Sequence, residues 1–140
     1  MFKKILAPVD LSDMSIAQQA LATAVRLAEQ SGGEVRLLNV RSLMPVTYME
    51  YVPVDFDDKA KKEAEQDLET VAAGLALPRD RVTTCVRLGS IYSEVLDEAA
   101  NWGADLIVVG SHRPSMATYL LGSNATTIVR HAKSAVLVVR

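Results

Sequence analysis

Residues 105–110 read "DLIVVG", four large apolar side chains in a row with no polar one between them. A strand of this kind has no face to offer water, because successive side chains point to opposite sides and all of them are apolar. It must therefore be covered on both faces. Residues 3–9, "KKILAPV", and 134–140, "SAVLVVR", make the same demand. Doubly covered strands belong to parallel sheets, whose crossover connections lay helices on the faces.

The stretches between these runs supply the helices. In "LSDMSIAQQALATAVRLAEQ", residues Ile16, Ala20, Leu21, Ala24 and Leu27 recur at helical spacing, with Ser12 or Asp13 as the expected cap and Gly32-Gly33 as the stop. Residues 34–40, "EVRLLNV", predict a second strand. Residues 41–56 carry two prolines, two tyrosines and no clean period, so a loop is expected. Residues 57–74 predict an exposed amphipathic helix with Ala60, Ala64, Leu68 and Val71 on one face. Next come the strand "RVTTCVRL", a Gly89-Ser90 junction, the helix "IYSEVLDEAANWG" and the run at 105–110. Residues 122–132, "GSNATTIVRHA", predict a helix with Ile128 and Val129 inward, before the last strand.

The alternation predicts an α/β fold: one doubly wound, Rossmann-like, five-stranded parallel sheet with helices on both faces, in a single domain spanning 1–140. The order 3-2-1-4-5 with right-handed crossovers is a common solution. The winding then reverses between strands 1 and 4, and ligands of such sheets bind at the carboxyl ends of that pair. Residues 8–10 and 109–111 would stand there.

A net charge of −2 gives no general attraction to nucleic acid or to an anionic membrane, and no basic aromatic surface is apparent. No apolar run reaches the ~20 residues of a membrane span. The single Cys85 and an amino terminus without a cleavage pattern make a cytoplasmic protein the expectation. Cys85 reads as a buried small side chain or, alternatively, a redox sensor.

Candidate site residues cluster in "GSHRPSMATYLLGSNATTIVRHA", residues 110–132. Gly122, Ser123 and Asn124 open a helix, where free N–H groups and the positive dipole end can hold a phosphate; Ser123 or Asn124 could equally be a simple cap. Arg113, in extended backbone before Pro114, could contact a phosphate or lie in solvent. Asp10 could bind a ribose hydroxyl, hold Mg²⁺ bridged to phosphates, or cap a helix. His112 reads as a loop contact, since no carboxylate or thiol near it in sequence completes a catalytic set, and no catalytic residue is assigned. His131, with Arg130 and Lys133, compensates a helix dipole, and Ser90 reads as a cap.

From "KKILAPVDLSDMS" through "LIVVGSHRP" and "YLLGSNATTIVRHA" to "SAVLVVR", the chain resembles the universal stress proteins, and its SHRP and LLGSNA wording is most similar to the small bacterial F/G-type members. The resemblance implies a 3-2-1-4-5 sheet, a homodimer and, as in one large branch, bound ATP with Mg²⁺. It implies that Ala7, Pro8 and Asp10 line the nucleotide, that Val40 faces adenine through its backbone, and that Val109 and Gly110 meet the ribose. Gly122, Ser123 and Asn124 would take the phosphates, with His112 and Arg113 beside them. The chain departs from that branch's glycine pattern in two ways: Arg113 holds the second glycine position, and eight residues instead of nine separate it from Gly122. The departure bears on the triphosphate end.

An apolar strand 5 at the sheet edge predicts pairing with a second copy through Ala135–Val139. The expected function is a nucleotide-dependent regulatory module of the stress response with an unidentified protein partner. The alternatives are a slow Mg-dependent nucleotide hydrolase or phosphotransferase, and a dimeric scaffold that does not bind ATP.

Overall fold

The computed structural model describes residues 1–43, 50, 51, 53–111 and 123–140. The apolar runs form the strands β1 (Lys4–Pro8), β2 (Glu34–Arg41), β3 (Val82–Leu88), β4 (Leu106–Gly110) and β5 (Ala135–Val139). Between them lie α1 (Met14–Ser31), α2 (Phe56–Ala73), α3 (Ile91–Trp102) and α4 (Ser123–His131). The sheet is parallel throughout, in the order β3-β2-β1-β4-β5. This is the doubly wound arrangement expected from the sequence.

Alternation along the strands divides the interior in two. Ile5, Ala7, Leu37 and Val108 point to the α1/α2 side, where Ala20, Ala24 and Leu68 meet them. Leu6, Leu38 and Ile107 point the other way, onto Val95 of α3 and Ile128 of α4. Each large aliphatic side chain buried this way contributes about 1.5–3 kcal/mol. Alanines on the inner face of α1 let the helix lie close to the sheet. Gly32 ends that helix in the left-handed region (φ 70°), and its N–H bonds back to the Ala28 carbonyl.

The sheet has a seam. β1 pairs with β2 along its full length, from Lys4↔Glu34 to Pro8↔Leu38, and β4 pairs with β5 from Leu106↔Ala135 to Gly110↔Val139. Across the middle, only Ile5↔Leu106 and Leu6↔Ile107 join β1 to β4. Beyond Leu6 the two strands part. Their connections leave in opposite directions, toward α1 on one face and α4 on the other, so nothing refills the gap.

One sequence expectation needs correction, and another is decided between its two alternatives. Val129 was expected inward with Ile128, yet it is 46% exposed while Ile128 is buried; one residue along a helix turns the side chain by about 100°. Ser12 does not cap α1: Asp13 stands at the N-cap position without a side-chain cap bond, and the Ser12 hydroxyl donates to Asp10 instead. Among the described residues no helix is long and apolar enough to cross a membrane.

Candidate functional site

The seam opens into a crevice of about 500 Å³ at the carboxyl end of the sheet. Pro8 at the end of β1, Asp10 in the loop after it, Val40 on β2, Val109 and Gly110 on β4, and Asn124 on α4 all line it. Six of the residues proposed from sequence thus meet around one cavity. Ala7 does not reach its wall, being fully buried on the α1 side of the sheet. Ser123 opens α4 with its backbone. His112, Arg113 and Gly122 lie outside the described residues, as does the side chain of Ser123.

The loop after β1 is shaped by its own polar groups. The Asp10 carboxylate accepts hydrogen bonds from the Ser12 backbone N–H (3.0 Å) and the Ser12 hydroxyl (2.6 Å) through one oxygen, Oδ1. The Asp13 N–H donates to the Asp10 carbonyl (3.1 Å), closing a tight turn into α1. Asp10 and Asp13 both line the crevice. The first turn of α4, at the positive end of a helix dipole, borders the same crevice through Asn124 and Ala125. The crevice therefore brings acidic residues and an electropositive helix end to one cavity.

Gly110 has a packing reason as well as a place in the wall. A Cβ added there would lie 2.4 Å from Ile16 Cγ2, well inside van der Waals contact. Only glycine lets α1 press this closely against the end of β4. Ile16 thereby forms part of the wall, a residue the helical period assigned to the core alone.

Asn39 is the wall residue sequence reasoning missed. It is buried, 8% exposed, and its side-chain amide donates to the Val9 carbonyl at 2.9 Å. A polar side chain at a position where "EVRLLNV" should point an apolar one into the α1-side core was the available signal. Ser42 and Ile91 also line the mouth and were not anticipated.

A second polar cluster lies away from the crevice, between β2, β3 and α3. Buried Glu98 accepts from the Cys85 thiol (3.2 Å) and pairs with Arg36 (3.4 Å) and Arg87 (3.5 Å). Arg36 also stacks over Trp102 at 4.5 Å and donates to Thr83 (3.0 Å). Burial, together with the hydrogen bond and negative charge of Glu98, pushes the Cys85 thiol up to about 11. A thiol held protonated is a poor nucleophile, which favours the structural reading of Cys85 over redox sensing. A larger open groove, about 620 Å³, sits at the amino end of the sheet with an alanine-rich floor. It opens at the other end of the sheet from the crevice and collects none of the anticipated site residues.

Comparison with known proteins agrees with this architecture. Universal stress protein G of Shigella flexneri is 38% identical over the whole of both chains, and its Salmonella typhimurium counterpart is 37% identical. Among solved structures, hypothetical protein MJ0577 superposes with a TM-score of 0.81 at 29% identity, covering 99% of this chain and 96% of its own. Universal stress protein UspA from Lactobacillus plantarum gives 0.75 at 25% identity, covering 99% and 98%. A universal stress protein solved in complex with cAMP shares the fold, with a TM-score of 0.65 at 20% identity over 99% and 97% of the chains. The universal stress protein family profile matches residues 1–140, and with the seam, the strand order and the full-length relatives in agreement, the chain belongs to the universal stress protein family.

Proposed function

We propose that the protein binds an adenine nucleotide, ATP with Mg²⁺, in the seam crevice and acts as a nucleotide-dependent regulatory module of the stress response. One observation carries the reading: the first turn of α4 and the acidic residues Asp10 and Asp13 line one crevice. Helix N–H groups favour phosphate. Two carboxylates beside the same phosphates would repel them unless a cation lies between. Mg²⁺ suits that place, since it binds one or two carboxylates together with phosphate oxygens and water.

In this reading Val40 faces the base, Val109 and Gly110 the ribose, and Ser123, Asn124 and Gly122 the phosphates, with His112 and Arg113 at the triphosphate end. The cAMP complex of a structural neighbour is compatible with a nucleotide in this fold. Occupancy would favour one arrangement of residues 41–56 and 110–122 over another and so alter the surface offered to a protein partner. The protein would work in the cytoplasm as a homodimer joined through β5. Asp10 is engaged by Ser12 in a fixed turn, an arrangement suited to holding a ligand more than to relaying protons.

Calorimetric titration with Mg-ATP tests this, beside an Asn124→Glu variant. A carboxylate in the first turn of α4 is compatible with the helix dipole, so the variant should fold with unchanged or raised melting temperature. It should repel phosphate. One nucleotide per chain in the parent, weakened at least about tenfold in the variant, supports the reading. No binding by the parent at millimolar nucleotide removes it.

A further inference from the structure

We infer that Asn39 is a positioning residue: its side-chain amide takes the place of a backbone donor at the end of the β1–β2 ladder and leaves the Val40 peptide edge turned into the crevice to recognise a ligand. The inference rests on the adenine-nucleotide reading only for the identity of that ligand.

The geometry follows from the ladder. The Val9 N–H donates to the Leu38 carbonyl at 2.7 Å, so the backbone groups of Leu38 face β1. Along a strand these groups alternate sides, which turns the N–H and C=O of Asn39 and Arg41 toward β3 and those of Val40 back toward β1. The bond from Gly89 N–H to the Arg41 carbonyl (2.9 Å) confirms the parity. In a regular parallel ladder the next rung would run from Val40 N–H to the Val9 carbonyl. Here that carbonyl accepts Asn39 Nδ2 at 2.9 Å, and among the described residues no backbone donor reaches it.

The substitution has two effects. Val9 and the Asp10 turn remain fastened to β2 although β1 has ended. Val40, whose rung has been taken by a side chain, keeps its own donor and acceptor at the crevice wall, where Asn39, Val9 and Val40 all stand. The N–H and C=O of one residue, side by side on the strand edge, match the edge of an adenine base, which also carries one donor and one acceptor. A leucine at position 39 would have filled the same space in the core, but it would have left the Val9 carbonyl to be claimed by Val40.

Amide hydrogen exchange followed by NMR on the ligand-free protein tests the placement without any nucleotide. The Val40 amide should exchange at least about tenfold faster than that of Leu38 inside the ladder. It should slow on addition of adenosine. In Asn39→Leu the Val40 amide should become protected without ligand, and Mg-ATP affinity should fall about tenfold, the equivalent of one good hydrogen bond. Asn39→Asp, isosteric and lacking the donor while ionised, guards against a leucine-specific packing defect and should lose affinity likewise.

A Val40 amide already protected in the ligand-free parent, or variants whose affinity matches the parent, would overturn the inference. If the parent binds no nucleotide but Val40 is fast in the parent and slow in Asn39→Leu, the placement of Asn39 stands and the nucleotide reading falls.

Discussion

The two edges of the sheet are built on opposite plans. At β3, charges guard both faces: Glu69 of α2 accepts from the Thr84 hydroxyl (2.7 Å) and pairs with Arg79, while Arg87 pairs with Glu94 (3.0 Å) and Glu98 on the other side. At β5 the strand is Ala-Val-Leu-Val-Val, Leu137 is 36% exposed, and Val129 of the preceding helix is more exposed still. An edge strand left open invites pairing, and natural sheets blunt unwanted edges with charge. One edge of this sheet is blunted and the other is not. The difference fits the proposed pairing of two copies about a two-fold axis through β5.

The comparison breaks most easily at β5. Leu137→Asp would set two carboxylates close to the axis of a symmetric dimer and should weaken self-association about 100-fold, read by sedimentation equilibrium. A variant that sediments as the parent does would mean that β5 is not where copies meet. At β3 the expected effects are on stability. Glu98→Ala leaves Arg36 and Arg87 half-buried without their shared partner and should cost about 2–3 kcal/mol, lowering the melting temperature by about 10 °C. A change near zero would demote the charge cluster from guard to ornament.

The smallest effect is expected at Glu69, half-exposed in its pair with Arg79. The hydrogen bond from Thr84, and then Arg79, hold its carboxyl below the usual range. Its contribution is therefore present at neutral pH and lost as pH falls through that lowered value. Glu69→Gln should cost under about 1 kcal/mol at neutral pH and flatten the acid side of the stability profile. Equal acid slopes in parent and variant would show that Thr84 and Arg79 do not act through charge.

How far the molecule could be read from its sequence differs between these regions for physical reasons. The sheet was legible because Leu106, Ile107, Val108 and Val109 leave no solvent face, and burial on both sides dictates parallel strands with helices between them. The crevice was legible as a location, since strand order fixes where β1 and β4 part. What sequence could not convey were contacts between distant positions. Gly110 read as a ligand glycine, while its tight fit against Ile16 exists only once α1 crosses β4. Asn39 is a polar residue in an apolar strand until Val9 is placed beside it. Val129 shows the limit of a nine-residue helix, whose apolar pair cannot be oriented by period alone.

The helix α4 gives these regions a common mechanical part. Its first turn borders the crevice at Asn124 and Ala125, and three residues after its end the chain enters β5. Nine helical residues span roughly 13 Å. A helix that short does not bend, so whatever tilts its first turn carries its last turn with it. The crevice wall and the edge strand thus hang on one short rigid element, the first at its start and the second just past its end.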